Sequence, residues 1–157
     1  MLAELCNVRF IDTDKIIVQR AGKSIDSIFE TEGEPTFRNL ETAVISEIMG
    51  TPPQVPVVVS TGGGAVMRPE NAGLIFAKDF TSIWVKASIP VILERIKRSP
   101  GKRPLLKNGN PEKTLEDLAA ARDPIYSRAD IIIDTDSNRP EEILDSVIQE
   151  LEKKGVC

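Results

Sequence analysis

The chain has 157 residues, 41% hydrophobic and 28% charged, and its 20 Lys plus Arg against 24 Asp plus Glu leave a net charge of −4. That size and balance fit one domain with a single core, exclude a disordered chain and argue against a nucleic-acid partner. With no histidine and only Cys6 and Cys157 near opposite ends, a disulfide framework and a Cys/His zinc site are excluded, and a reducing cytoplasm is the expected setting.

Four short runs rich in β-branched residues punctuate an otherwise helical pattern: Val8–Ile11, Pro56–Thr61, Thr81–Ala87 and Asp130–Asp134. Each is nearly continuous in apolar residues, which predicts strands buried on both faces of a parallel sheet. The first run is followed by helical spacing over Lys15–Ala21, Ser24–Glu30 and Glu34–Met49, with Ser24 suited to an N-cap. Pro69–Ala77 follows the second run, with Pro69 in a first helical turn. Pro90–Arg98 follows the third. Pro111–Arg122 comes after a polar loop, and Pro140–Lys154 closes the chain. Strands alternating with helices predict a three-layer α/β sandwich with a mostly parallel sheet. No apolar run approaches the roughly 20 residues that span a bilayer, so no membrane partner is expected. Arg95, Lys97, Arg98, Lys102, Arg103 and Lys107 crowd one stretch, and such clustering suits small anions.

In folds of this kind ligands collect beyond the carboxyl ends of the strands. Asp12-Thr13-Asp14, Gly62-Gly63-Gly64 and Asp134-Thr135-Asp136 all follow strands and are expected at one cleft. Asp12 and Asp14 suit helix capping. They equally suit a pair in which one carboxylate organises magnesium and the other accepts a proton from an attacking hydroxyl. Three consecutive glycines let backbone approach a ligand and expose its N–H groups. Arg38 lies inside a helix, where solvation or an ion pair with Glu34 or Glu41 is the default. Arg103-Pro104-Leu105-Leu106 enters a basic loop that is either a surface excursion or a closing lid over transferring phosphate. Trp84 and Phe80 are expected in the core. A nucleotide-binding G-x-x-x-x-G-K-[ST] loop is not found, because Gly22-Lys23-Ser24 has Ile17 where the first glycine belongs.

In order along the chain stand Phe10-Ile11-Asp12-Thr13-Asp14, Gly22-Lys23-Ser24-Ile25, Glu32-Gly33-Glu34, Phe37-Arg38 and Gly62-Gly63-Gly64-Ala65-Val66. Arg103-Pro104-Leu105-Leu106, Arg122-x-Pro124-x-Tyr126 and Asp134-Thr135 complete the series. Together they resemble the shikimate kinases, over nearly the whole chain. The resemblance implies a P-loop-type kinase fold forming one domain over 1–157, with a lid at about 100–112. It also implies γ-phosphoryl transfer from ATP to shikimate, with Mg2+, in a cytoplasmic monomer. Asp14 would bind the substrate hydroxyls and act as base, and Asp12 would help place magnesium. Arg38 and Arg122 would clamp the substrate carboxylate, with Gly62, Gly63 and Gly64 lining the site. Arg103 would reach the transferring phosphoryl group. Arg95, Asn138 and Arg139 would border the adenine. Relatives carry a central strand, a phosphate loop and most of a helix before the residues matching Leu2-Ala3-Glu4-Leu5. Without that strand two sheet edges lose their partners, at about 1–3 kcal/mol for each buried orphan group, so the 157 residues alone are expected to fold poorly and turn over little ATP. Two other readings are a non-catalytic shikimate-binding relative and a kinase of another small acceptor such as gluconate.

Overall fold

A computed structural model describes residues 1–51, 53–98, 110–136 and 139–156, in two compact units, Met1–Phe80 and Thr81–Cys157. The first unit runs α1 (Leu2–Leu5), β1 (Arg9–Asp12), α2 (Thr13–Ala21), α3 (Ile25–Thr31), α4 (Gly33–Met49), β2 (Val57–Ser60), a 3₁₀ turn at Ala65–Met67 and α5 (Pro69–Ile75). The second runs β3 (Ile83–Lys86), α6 (Ile89–Arg98), α7 (Pro111–Tyr126), β4 (Ile131–Asp134) and α8 (Pro140–Lys153). Among the described residues the strands form two parallel ladders, β1 with β2 and β3 with β4. Arg9 stands opposite Val57, and Ile83 opposite Ile131.

The helix ends follow local chemistry. The Asp12 carboxylate accepts the Lys15 N–H at 3.2 Å and starts α2, and Gly22, at φ 66°, ends it in the left-handed conformation. Only glycine enters that region without steric penalty. Ser24 Oγ then accepts the Ser27 N–H at 3.2 Å and starts α3, as its sequence predicts. Gly22, Lys23 and Ser24 are thus occupied in a helix–helix joint, with Lys23 paired to Glu32.

In α4 the buried positions are Phe37, Glu41, Val44, Ile45 and Met49, the spacing of one helical face. Phe37 and Val44 pack with Ile17 of α2 and Ile28 of α3. Ile45 and Met49 pack with Ala65, Val59 of β2 and Phe80. This second cluster fixes β2, and hence the glycine loop that leaves it, against α4. In the second unit Ile131 and Ile133 of β4 are buried, as are Val147 and Leu151 of α8. The ladder is fastened at its start, where the Asp130 carboxylate accepts from Ser82 N–H at 2.9 Å and Ser82 Oγ at 2.7 Å.

Two expectations need correction. The strands are not buried on both faces: Phe10, Val85 and Ile132 are exposed, and β4 alternates strictly between buried and exposed. Only β4 shows the alternation of a strand packed on one face; β1 and β3 change exposure along their length instead. The helix starting at Pro111 also continues past Arg122, through Pro124 to Tyr126. Proline deletes one backbone donor there, but Tyr126 stacks on Trp84 of β3, ring centroids 5.3 Å apart. No helix of the described residues is long and apolar enough to cross a membrane.

Because Ile45 is fully buried where α4 meets β2, Ile45→Ala is expected to destabilise the chain by about 2–5 kcal/mol, read as a lower urea midpoint.

Candidate active site

The carboxyl ends of β1 and β2 lie side by side, Asp12 opposite Ser60. The Thr13 hydroxyl ties them together by donating to the Ser60 carbonyl at 3.2 Å. A cavity of about 370 Å³ opens there, lined by Asp12, Asp14, Lys15 and Gln19 from one side and Ser60 and Thr61 from the other. Asp12 serves as the N-cap of α2. Asp14 makes no such bond: its Oδ1 is buried and has no hydrogen-bond partner.

The second element is α4. The Arg38 guanidinium donates from Nη1 to Glu41 Oε2 at 2.8 Å, and from Nε and Nη2 to Glu34 Oε1 at 3.1 and 3.0 Å. Both partners that the helical spacing allowed are therefore used at once. They differ in setting: the Glu41 side chain is 1% exposed and that of Glu34 48%. Glu41 Oε1, like Asp14 Oδ1, is buried without a partner.

The glycines are explained by what they face. A Cβ on Gly62 would stand 2.9 Å from Glu41 Oε1 and 3.2 Å from Asp14 Oδ1, so the two orphaned oxygens meet at that glycine. A Cβ on Gly64 would stand 2.5 Å from both Nη1 and Nη2 of Arg38. Either Cβ would force the carboxylates or the held guanidinium to move. The loop residues are small because the loop lies directly on a charged cluster. Asp14, Arg38, Gly62 and Gly64 thus form one constellation, while Gly63 is on its exposed side.

Burial is the largest influence on both acids and pushes each pKa up. For Asp14 the neighbouring Asp12 adds to the rise and Arg38 opposes it. For Glu41 the hydrogen bond and charge of Arg38 oppose the rise, and Asp14 adds to it. For Arg38 burial works against the charge, but Glu41 and Glu34 outweigh it and the pKa is raised. Asp14 is therefore a carboxylate held at a higher proton affinity than usual, with an acceptor oxygen unspent.

The remaining predicted residues belong to the second unit. Arg122 lies on α7 with its Nε buried and unpartnered. Arg95 donates to the Thr135 carbonyl at 2.8 Å and to its hydroxyl at 3.2 Å, tethering the chain that leaves β4. Arg139 precedes α8 and pairs with Glu142 at 3.0 Å. Asp136 accepts the Ser88 N–H at 2.7 Å. Arg103 and Asn138 lie outside the described residues.

Sequence reasoning named Glu41 only as an ion-pair partner of Arg38, not as a buried member of the site, and passed over Arg68 and Asn71. Glu41 falls on the apolar stripe of α4, four residues from both Phe37 and Ile45; an acid at a core-facing position was the available signal. Arg68 donates to Asn39 Oδ1 at 2.9 Å and to Thr42 Oγ1 at 3.2 Å, fastening the segment after the glycine loop to α4. Asn71, fully buried, donates to the Ala65 carbonyl at 3.0 Å. No sequence signal marks those two.

A cavity between parallel strand ends, with an available carboxylate beside a fixed guanidinium, can accept a proton and hold an anion. The sequence profile of the shikimate kinases matches residues 1–152. A shikimate kinase of Stenotrophomonas maltophilia is 44% identical over 136 residues, covering 86% of this chain and 73% of the relative. One from Thermus thermophilus is 38% identical over 151 residues, covering 96% and 79%. Among solved structures, shikimate kinase from Acinetobacter baumannii in complex with shikimate aligns with a TM-score of 0.88 at 32% identity, covering 99% of this chain and 85% of that one. The Aquifex aeolicus enzyme aligns with a TM-score of 0.78 at 34% identity, covering 99% and 88%. The chain belongs to the shikimate kinase family, and its fold is the α/β kinase fold of that family.

Two outcomes are expected from this geometry. A raised acid pKa stabilises the folded state only while the group is protonated, and that stability is lost as pH rises through the folded value. Asp14→Asn should therefore melt higher than the unmodified chain at pH 7, read by thermal unfolding. The gain should vanish below about pH 4, where an ordinary aspartate is protonated. Gly64→Ala should displace Arg38 from its ion pairs with Glu41 and Glu34, read as a melting temperature below that of the unmodified chain.

Proposed function

We propose that the constellation around Asp14 and Arg38 is the acceptor site for ATP-dependent phosphorylation of shikimate, in a cytoplasmic enzyme that works as a monomer. The observation that carries this reading is the buried, unpartnered Oδ1 of Asp14 beside the cavity. An acid kept partly desolvated with a free acceptor atom suits a general base. As the acceptor hydroxyl oxygen attacks the γ-phosphorus of ATP and the bond to the ADP oxygen breaks, its proton passes to Asp14. Arg38 receives the carboxylate of shikimate, where the guanidinium fork gives paired, charge-assisted hydrogen bonds, and Arg122 is assigned to the same carboxylate on the family resemblance alone. Gly62, Gly63 and Gly64 admit the acceptor close to the backbone.

Asp12 is the residue assigned to magnesium. The donor set fits the ion: Asp12, Ser60 and Thr61 supply oxygens at the cavity, and Mg2+ usually takes one or two carboxylates plus water and phosphate. When bound, magnesium supplies neutralisation of phosphate charge. Arg103 is assigned to the transferring phosphoryl group, and Arg95, Asn138 and Arg139 to the adenine, on the family resemblance alone.

Shikimate titrated into the chain should release or absorb heat with a single site, and Arg38→Gln should weaken it about tenfold or more. Asp14→Asn should lower phosphoryl transfer by about 10²–10⁴-fold, followed as ADP release. Unchanged shikimate binding in Arg38→Gln would reject the assignment. Equal transfer to gluconate would favour a kinase of another acceptor.

A further inference from the structure

The two carboxylates on Arg38 are unequal in a way that the acceptor reading does not require. Glu41 lies on the buried face of α4 and grips Nη1 out of reach of water. Glu34, one turn before Arg38, places a single oxygen across Nε and Nη2, and its side chain is 48% exposed. A guanidinium offers a carboxylate two forks, one along Nε and Nη2 and one across Nη1 and Nη2. The second fork faces Gly64, where even a Cβ would come within 2.5 Å of both nitrogens. The first fork is the one beside solvent, and Glu34 fills it. The Arg38 side chain beneath is only 13% exposed.

We propose that Glu34 is a place-holding carboxylate that a ligand carboxylate must displace from the Nε/Nη2 fork of Arg38. This rests on the reading of Arg38 as the carboxylate clamp and goes beyond it by naming what the clamp holds beforehand. The exchange is like for like. If Glu34 stayed, three carboxylates would surround one guanidinium, with Asp14 close by, and like charges at such distances repel. If Glu34 leaves, it regains water easily because it is already half exposed, and exposed helical ion pairs of this spacing are weak. Glu41 cannot leave in the same way, since departure would strand a buried charge.

The device keeps Arg38 oriented and neutralised while the site is empty. It also sets a threshold. An anion that binds through a single weak contact does not displace Glu34, whereas a rigid ligand whose hydroxyls are already held at Asp14 brings its carboxylate to the fork at high effective concentration. Glu34 thus acts as a specificity residue for acceptors that carry both groups.

Calorimetry on the full 157-residue chain tests this with three variants and two probes, each variant first checked to be folded at the titration temperature, since Arg38→Gln strands the buried Glu41 and should melt lower. Glu34→Gln should bind shikimate about threefold tighter, because a weak competing ion pair is removed. Glu34→Asp, which keeps the charge but is too short to span the fork, should tighten binding similarly. The methyl ester of shikimate, with no carboxylate to place, should bind all of these alike. If both Glu34 variants bind shikimate equally or more weakly than the unmodified chain while Arg38→Gln weakens it, Glu34 supports the clamp and the proposal fails. If Glu34→Gln tightens binding but Glu34→Asp does not, the effect is general charge repulsion and displacement is rejected. Arg38→Gln that leaves shikimate binding unchanged would instead remove the clamp itself, and the proposal with it.

Discussion

The contact between Arg38 and Glu41, closed at 2.8 Å on the buried face of α4, sets the terms for the rest of the first unit. A carboxylate with a fully buried side chain is tolerable only beside a fixed cation. That cation must in turn be held in one rotamer. Gly64 holds it by leaving no room for anything larger than hydrogen, and Gly62 does the same for the orphaned oxygens of Glu41 and Asp14. Ile45, one turn further along the helix, anchors α4 to β2, from whose end the glycines depart. The register of loop against helix is thus enforced by charge on one turn and by packing on the next.

Stability has been given up locally to make this site. Two acids carry raised proton affinity, and each leaves one buried oxygen without a partner. Native proteins satisfy nearly all such atoms, so two orphans meeting at a single glycine mark where a ligand's donors belong. Fastenings nearby offset the cost. Asn71 holds the carbonyl of Ala65, Arg68 ties the following segment to Asn39 and Thr42, and Thr13 clasps Ser60. Of these groups only Ser60 lines the cavity; together they keep the loop from relaxing into the space that the acids leave open.

Much of this was legible before any coordinates. The caps at Asp12, Ser24 and Pro69 and the order of strands and helices follow from local rules, and the structure keeps them. The motif residues were identifiable because several weak signals stood in one order. Glu41 was not, because an acid in a helix is read as exposed unless the apolar stripe around it is counted position by position. The strand faces were misjudged for a related reason: Val, Ile and Phe in a strand report propensity for the pleat, not which side is covered. Ile132 is apolar and exposed because position in the alternation of β4, rather than identity, decides its face. Pro124 shows the converse, a breaker absorbed inside α7, whose end Tyr126 packs on Trp84.

The parallel pairing also bears on how quickly the chain can reach this state. Arg9 meets Val57 and Ile83 meets Ile131, in each case across just under fifty residues. The entropy lost in closing a loop depends only on the logarithm of its length, so the two ladders face nearly the same nucleation barrier. In the first unit the intervening helices α2, α3 and α4 pack on one another around Ile17, Ile28 and Phe37, through contacts much closer in sequence. A helical cluster of that kind can assemble before the strands meet and shorten the effective search for β2. On that order the acid that ends β1 and the glycines that follow β2 come together only when the longest-range contact of the unit forms.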